Sequence, residues 1–231
     1  MTCRQRFRFR PFEICQDGAL MKINTDTLLC ALLSDINQAE RILEIGTGTG
    51  AVALLTAWRN SQATIDALEP HEASFKCAAR NFKHSPYARR MNLYQLPVQK
   101  FKPPTLYDAI ISNPPYFSAE NLRDNPARDE EYLPLSVLTE FASRYLTPHG
   151  KLSFIYPADR TYDVLTAAYE ARLFPYFRLD IRDRKDTPVK RTVWVFTPQL
   201  QRNFTHKTIH LFDAPGKPSD FYRNLTKKLL L

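Results

Sequence analysis

The residues best suited to chemistry are Asn113-Pro114-Pro115-Tyr116, which directly follow an apolar stretch at 107–112. Two consecutive prolines cannot continue a sheet ladder, because each has a fixed φ and no N–H group. A buried strand therefore delivers an amide, two rigid carbonyl groups and an aromatic ring to one sheet edge. This set can hold a planar amide-type nitrogen and stack a flat group on it. A strand with a proline-rich exit loop and no function is the plainer alternative.

A glycine-rich loop lies upstream, with Gly46, Thr47, Gly48 and Gly50 between an apolar strand and a helix. Glycines here let the backbone turn sharply and approach a ligand closely. Their spacing is one residue tighter than the G-x-G-x-x-G pattern of nicotinamide-binding enzymes, which disfavours a dehydrogenase. Glu44 would repel a pyrophosphate but suits a ligand with positive charge. S-adenosylmethionine, which has an ammonium and a sulfonium group, is such a ligand.

Two further candidates follow the next apolar stretch, at 63–68. Glu69 has the spacing from the glycine loop that is expected of an acidic residue binding ribose hydroxyls. Pro70 stiffens the exit and can pack beside an adenine ring. Without the loop, Glu69 would be an ordinary residue at the start of a helix.

The elements that position these residues follow from hydrophobic periodicity. Strand-like stretches alternate with helical patterns from residue 41 onwards, which predicts a parallel sheet with helices on both faces. The link at 183–191 is too short for a crossover, so the strand after it is antiparallel. We predict a Rossmann-like α/β fold with a seven-stranded, mostly parallel sheet and an antiparallel strand seven. Its strands are predicted at 41–45, 63–68, 92–96, 107–112, 151–156, 176–182 and 192–197.

The chain is predicted to be a single domain, with an N-terminal extension at 1–40 and a catalytic core at 41–231. The extension contains a hairpin and a helix. Helices are predicted between the strands at 51–58, 71–82, 135–146 and 161–172. The other predicted elements are a strand or small hairpin at 6–16, a helix at 27–36 capped by Thr25 or Asp26, a flap at 117–134, a strand at 207–212 and a last helix at 221–231.

The net charge of the 231 residues is +8. A basic surface favours a polyanionic partner, although many basic proteins bind no nucleic acid. The sequence shows neither a membrane-spanning run nor a secretory leader, so we expect a cytoplasmic protein. The four cysteines lack metal-binding spacing, so we expect reduced thiols and no metal site.

Positive charge concentrates in the link between the last two strands of the predicted sheet. That link lies at the same sheet edge as the glycine loop and Asn113. A basic rim around an aromatic pocket is typical of sites for single-stranded nucleic acid, and solvated surface charge is the alternative. The candidates for RNA binding are Phe117, Arg128, Arg184, Lys185, Lys190 and Arg191.

Together these motifs resemble class I S-adenosylmethionine-dependent methyltransferases that act on exocyclic or amide nitrogens. Within that class the chain is most similar to the tRNA1(Val) (adenine-N6)-methyltransferase family. The similarity rests on Met21 to Leu29, the Asn-Pro-Pro-Tyr strand end, Ala127-Arg128 and Arg191 to Pro198. It implies methylation of N6 of the adenine beside the anticodon, with S-adenosylhomocysteine as the second product. It also implies a tRNA partner; we expect a monomer without an obligate protein partner and without membrane association.

The resemblance assigns roles residue by residue. The Asn113 side-chain oxygen and the Pro114 carbonyl each accept one N6–H bond, beside Pro115, and Tyr116 or Phe117 stacks on the base. Related enzymes often carry an acidic residue where this chain has Pro97, so adenine recognition falls to backbone groups or to Gln99. The full set of candidate cofactor residues is Lys22, Thr25, Asp26, Glu44, Gly46, Thr47, Gly48, Gly50, Glu69, Pro70, Pro97 and Asn113.

Three alternatives use parts of the same pattern. A glutamine-N5 methyltransferase of release factors shares the Asn-Pro-Pro-Tyr logic but usually has an N-terminal helical substrate domain. A DNA adenine methyltransferase normally needs an added target-recognition domain. A non-catalytic RNA-binding protein on the same fold would not need intact loop glycines or Asn113.

Overall fold

The computed structural model describes residues 3–115 and 133–230 of the chain. It begins with the predicted hairpin, in which β1 (Arg6–Arg8) pairs antiparallel with β2 (Glu13–Cys15). Phe7 and Phe9 pack ring against ring, with centroids 4.7 Å apart. Phe9 and Phe12 belong to the buried core, and the Phe12 ring meets the Tyr87 ring edge-on, which attaches the hairpin to the core. Arg6 and Arg8 pair with Glu13 at the surface.

The cysteines differ in part from the prediction. Arg6 lies opposite Cys15 in the hairpin, so the chain before β1 returns beside Cys15, and Cys3 forms a disulfide with it. The expectation of reduced thiols is therefore wrong for this pair. The pairing depends on hairpin register, which no local cysteine motif reveals. Cys30 and Cys77 are buried free thiols, as expected.

The first helix, α1 (Thr25–Leu33), begins one residue earlier than a cap at Thr25 would allow and two residues earlier than a cap at Asp26 would allow. Asn24 is the N-cap, because its side-chain oxygen accepts the Thr27 N–H at 2.9 Å. The Thr27 hydroxyl accepts the Asn24 N–H in return, which completes a capping box. The cap prediction of Thr25 or Asp26 was therefore wrong, and both residues lie in the first turn.

Within the described residues, nine strands form the main sheet. They are β3 (Arg41–Ile45), β4 (Thr64–Leu68), β5 (Met91–Tyr94), β6 (Tyr107–Ser112), β7 (Leu146–Pro157), β8 (Phe174–Arg184), β9 (Val189–Thr197), β10 (Thr205–Ala214) and β11 (Lys217–Pro218). Their order across the sheet is β11-β10-β8-β9-β7-β6-β3-β4-β5. All seven predicted strands are present, and β10 and β11 extend the sheet past β8.

Strand directions match the prediction. β3 to β7 run parallel, and β9 is antiparallel to both β7 and β8. β10 joins the far side of β8 in parallel, which the sequence pattern did not indicate. Because β8 ends and β9 begins at the carboxyl edge of the parallel strands, their connecting turn lies at that edge too.

The sheet separates two hydrophobic layers. Successive side chains of a strand point to opposite faces, so Ile42 of β3 packs with Leu28 and Leu54 on one face. Leu43 packs with Leu138 and Val164 on the other. The helices that supply these layers, besides α1, are α2 (Ala51–Arg59), α3 (Glu72–Lys83), α4 (Leu135–Tyr145), α5 (Thr161–Glu170) and α6 (Asp220–Thr226). Within the described ranges, the helices lack the length and apolar character needed to cross a membrane.

Candidate active site

A cavity opens at the carboxyl edge of the parallel strands, where the loops after β3, β4, β5 and β6 converge. Each of these four loops contributes to its wall, as the topology of such sheets predicts. The predicted site residues that line it are Gly46, Gly48, Glu69, Pro70, Pro97, Asn113, Pro114 and Pro115. Residues distant in sequence are thus brought to one site.

The glycine loop is fixed by backbone hydrogen bonds. The N–H groups of Gly46 and Thr47 donate to the Leu68 carbonyl at 3.0 and 2.9 Å. Gly50 begins α2 with a φ of 83°, and a Cβ atom there would lie 2.6 Å from the Phe82 ring. Gly50 therefore does not line the cavity but allows α3 to pack closely against the loop.

Glu44 and Thr47, both predicted cofactor residues, are buried and do not line the cavity; Glu44 lies in β3 and Thr47 lies within the loop. The Thr47 hydroxyl donates to Glu44 Oε2 at 2.5 Å, and Glu44 is only 2% exposed. Burial raises the pKa of Glu44 to about 7. We infer that these two residues hold the loop in shape. The Glu44 carboxylate is buried against Thr47 and therefore does not contact a ligand in the cavity.

Glu69 has the position that was predicted for it. One carboxylate oxygen accepts the Gly48 N–H at 2.8 Å and the other accepts the His71 N–H at 3.0 Å. These bonds orient the carboxylate beside Pro70 in the cavity wall. An ionised carboxylate has about four acceptor sites, so Glu69 can still accept hydrogen bonds from ligand hydroxyls. Burial raises its pKa.

The loop after β5 provides an apolar wall. Leu96, Pro97 and Val98 line the cavity, whereas Gln99 is exposed and lies outside it. The cavity wall therefore favours backbone groups of this loop over the Gln99 side chain for contact with an adenine ring. A flat ring would meet aliphatic side chains here, and only backbone groups of this loop could bond its polar edge.

Asn113 follows β6, where it is held by its neighbour on the chain. The Ser112 hydroxyl donates to the Ile45 carbonyl at 2.9 Å, and Ser112 is completely buried. The Asn113 Oδ1 atom is buried and has no hydrogen-bond partner among the described residues. A buried acceptor without a donor is costly, so this atom is suited to receive one from a substrate. Tyr116, Phe117 and Arg128 lie outside the described residues, as does most of the predicted flap.

The predicted residues of the N-terminal stretch do not reach the cavity. Lys22 is exposed, and neither Thr25 nor Asp26 lines the wall, which Met21 joins instead. Asp26 forms an ion pair with Arg191, and each side chain is only 14% exposed. One residue was predicted to bind the cofactor and the other to bind RNA, yet they contact each other.

The remaining rim residues lie on or beside the β8–β9 turn. Arg184 pairs with Asp186 at 3.3 Å and Lys190 with Asp183 at 3.1 Å, while Lys185 is exposed. Arg191 also reaches Asp183 at 3.4 Å, so its guanidinium is bound on two sides. Arg184, Lys185 and Lys190 remain placed to meet a phosphate, whereas Arg191 is committed to internal ion pairs.

Several residues of the site were missed by sequence reasoning. Met21, Leu68 and Val98 line the cavity as apolar neighbours of predicted residues. Asn81 of α3 donates to the carbonyls of Thr49 and Cys15, both at 2.8 Å, and so ties the loop to the hairpin. A lone asparagine on a helix has no sequence pattern that would reveal this contact.

Comparison with known proteins gives consistent matches. Residues 21–170 match the family described as Methyltransferase small domain. A tRNA1(Val) (adenine(37)-N6)-methyltransferase of Glaesserella parasuis is 33% identical over 90% of this chain and 89% of its own length. The protein of the same name from Pedobacter heparinus is 31% identical over 99% of both chains.

Solved structures agree on the fold. A predicted O-methyltransferase from Agrobacterium tumefaciens superposes with a TM-score of 0.72, at 18% identity, over 88% of this chain and 96% of that one. At this identity the likeness confirms the Rossmann-like architecture.

Proposed function

The chain belongs to the tRNA1(Val) (adenine(37)-N6)-methyltransferase family, and we propose that it methylates the exocyclic N6 of the adenine at position 37 of that tRNA. We propose S-adenosylmethionine as the methyl donor and S-adenosylhomocysteine as the second product. The proposal includes a cytoplasmic enzyme that acts as a monomer. The family supports the reaction class, and the site supports the assignment of residues.

The observation that carries the proposal is the buried Oδ1 atom of Asn113 at the cavity wall, which has no hydrogen-bond partner among the described residues. An adenine amine is a poor nucleophile, because its lone pair is delocalised into the ring. Asn113 Oδ1 would accept one N6–H bond and the Pro114 carbonyl the other. These two bonds draw the nitrogen towards tetrahedral geometry and turn its lone pair out of the ring plane. Positioning of this kind supplies a large share of a rate enhancement.

The residues of the cavity fit the proposed cofactor. Glu69 is oriented by two backbone bonds and retains acceptor capacity for ribose hydroxyls. Leu96, Pro97 and Val98 offer an apolar surface to a purine ring. When bound, the cofactor supplies an electrophilic methyl group. No strong general base is required, because the N6 proton becomes acidic once the new bond to nitrogen has formed.

The rim supports RNA as the source of the adenine. Lys185 and Lys190 are exposed at the sheet edge that carries Asn113, where they can neutralise phosphates. A target base must leave its stack to enter the cavity, which costs least in a single-stranded loop. We keep Tyr116 or Phe117 as the stacking residue and Arg128 as a phosphate contact within this proposal.

The test uses the whole protein with labelled S-adenosylmethionine. Unmodified tRNA and a release factor are incubated in parallel, and the labelled products are digested and identified. We expect labelled N6-methyladenosine from tRNA and no label in the protein substrate. Label in release-factor glutamine, or no N6-methyladenosine from any tRNA, would overturn the proposal.

A further inference from the structure

A second depression lies beside the candidate active site at the same sheet edge. We call it the flank groove; its volume is about 600 Å³, and its walls include Tyr156, Pro157, Asp159, Asp183, Pro188 and Lys190. Sites that hold small organic groups have volumes of about 300–1,000 Å³. The flank groove is therefore large enough for a nucleotide.

Strand register places the flank groove next to Asn113. Ser112 of β6 lies opposite Phe154 of β7, and β7 continues to Pro157 while β6 ends at Ser112. Neighbouring strands are about 4.8 Å apart. The end of β7 therefore runs beside the Asn113 turn at one strand spacing. When a base is held at Asn113, an adjacent nucleotide of the same RNA strand can reach this groove.

The walls of the flank groove offer three kinds of contact. Pro157 and Pro188 present apolar ring faces, against which a base can pack. Lys190 is exposed at the rim and pairs with Asp183 at 3.1 Å. Such an exposed pair contributes little stability, so the ammonium can turn to a phosphate at small cost. These contacts suit the base and the phosphate of one nucleotide.

The carboxylate of Asp159 has the chemistry to distinguish one kind of base from another. Its carboxylate is exposed in the groove and is bonded by no residue in the part of the chain that the structure describes. Asp183, by contrast, already accepts from both Lys190 and Arg191. An ionised carboxylate only accepts hydrogen bonds. It therefore favours adenine, cytosine or guanine, which have an amino group, over uracil, whose single N3–H donor lies between two carbonyl oxygens that repel a carboxylate.

We propose that the flank groove binds the nucleotide on one side of the target adenine, and that Asp159 accepts a hydrogen bond from the amino group of its base. Lys190 contacts the phosphate of that nucleotide. The inference rests on the proposed function, since it supposes that the enzyme methylates an adenine within an RNA strand. Asp159 is thus assigned as a specificity-determining residue for the sequence around the target.

The test uses unmodified tRNA transcripts in which the nucleotide before or after the target adenine is an amino-bearing base or uracil. For the wild-type protein, uracil on one side should lower kcat/KM about tenfold, and uracil on the other side by less than about twofold. Asp159→Asn should remove this preference, because an amide can donate to uracil as well as accept. The matched control is Asp213→Asn, which changes an exposed carboxylate on β10 outside the groove.

The outcomes separate the two proposals. If no transcript yields N6-methyladenosine, the proposed function fails. If methylation proceeds but wild-type and Asp159→Asn proteins show the same response to both flanking bases, the flank groove is not a reading site and this inference is overturned. A loss of preference in the Asp213→Asn control would overturn it as well. Cofactor affinity, measured by calorimetry, should be equal in all three proteins.

Discussion

The wall around the glycine loop is held by backbone hydrogen bonds, whereas the wall beyond Asn113 depends on charged side chains. We call the first the cofactor half; it comprises the glycine loop and the loops after β4 and β5. In it, the loop N–H groups bond Leu68 and Glu69. The second, the acceptor half, comprises Asn113 and the ends of β7, β8 and β9, where Arg191 binds Asp26 and Asp183.

The two halves also differ in what they leave unsatisfied. In the cofactor half, Glu69 is bonded through both oxygens before any ligand arrives. In the acceptor half, Asn113 Oδ1 has no partner within the described residues. The first half is therefore complete as a binding surface, and the second is completed by its substrate. Substitutions in the cofactor half should consequently change cofactor affinity, whereas substitutions in the acceptor half should change kcat or the KM for tRNA.

The largest effect is expected for Asn113→Ala. Removal of the amide oxygen takes away one of two acceptors that orient N6, so kcat should fall about 10³-fold. The dissociation constant of the cofactor should change by less than about threefold, because Glu69 and the β5 loop remain. Single-turnover kinetics and calorimetry measure the two quantities. A variant that keeps near-normal kcat would contradict the role of Asn113.

Gly50→Ala tests the cofactor half. A methyl group would lie 2.6 Å from the Phe82 ring at a φ of 83°, so the loop or α3 must shift. We expect the free energy of unfolding to fall by about 3–4 kcal/mol and cofactor affinity to fall with it. Gly216→Ala is the matched control, since its φ of 72° gives similar backbone strain and no atom of the described residues lies within 4 Å of the added Cβ. This control substitution should lower the free energy of unfolding by about 1 kcal/mol. Equal losses in urea denaturation would show that the Phe82 contact is unimportant.

Glu44→Gln tests the buried carboxylate that bonds Thr47 of the glycine loop. Burial raises the pKa of Glu44 from 4.5 to about 7, so the folded protein binds more protons than the unfolded chain between these values. Wild-type stability should therefore fall as pH rises through this window, by up to about 3 kcal/mol. Glutamine keeps the shape and the acceptor for Thr47 without titrating. Its stability should fall less across this window than that of the wild type, since Glu69, whose pKa burial also raises, still titrates. A parallel decline in both proteins would assign the titration to another group.

The smallest effect is expected for Lys185→Ala on the rim. Loss of one exposed phosphate contact should raise KM for tRNA about two- to fivefold and reduce the salt slope by about one. The cofactor dissociation constant and kcat should not change. Lys83→Ala, at an exposed position on α3, serves as the control and should leave KM unaltered. If both variants raise KM equally, Lys185 contributes only to the overall positive charge of the protein and makes no specific phosphate contact.

The sequence was sufficient to predict which loops form the cavity wall, because these loops follow their strands directly. Gly46, Glu69 and Asn113 each come immediately after an apolar stretch, and parallel strands bring their carboxyl ends together. Strand alternation likewise predicted the two-faced core and the antiparallel β9. These features depend on local pattern and on a general rule of topology.

The rest depends on contacts between distant segments. Glu44 has a sequence position suited to a ligand, but the local turn encloses it under Thr47. The partner of Arg191 lies 165 residues away, in α1, and only the completed sheet brings the two together. The Cys3–Cys15 bridge depends in the same way on the register of a hairpin. A charge or thiol in one sequence indicates chemistry but does not identify its partner.

The pair between Asp26 and Arg191 bears on the order in which the site is assembled during synthesis. The three residues that mark the cofactor cavity, Gly46, Glu69 and Asn113, leave the ribosome within one continuous stretch of chain. Asp26 must wait for a partner that is made 165 residues later. At about 5–20 residues per second, this delay lasts roughly ten to thirty seconds. We therefore expect a nascent chain to acquire its cofactor surface first and its RNA-binding wall only as β9 emerges.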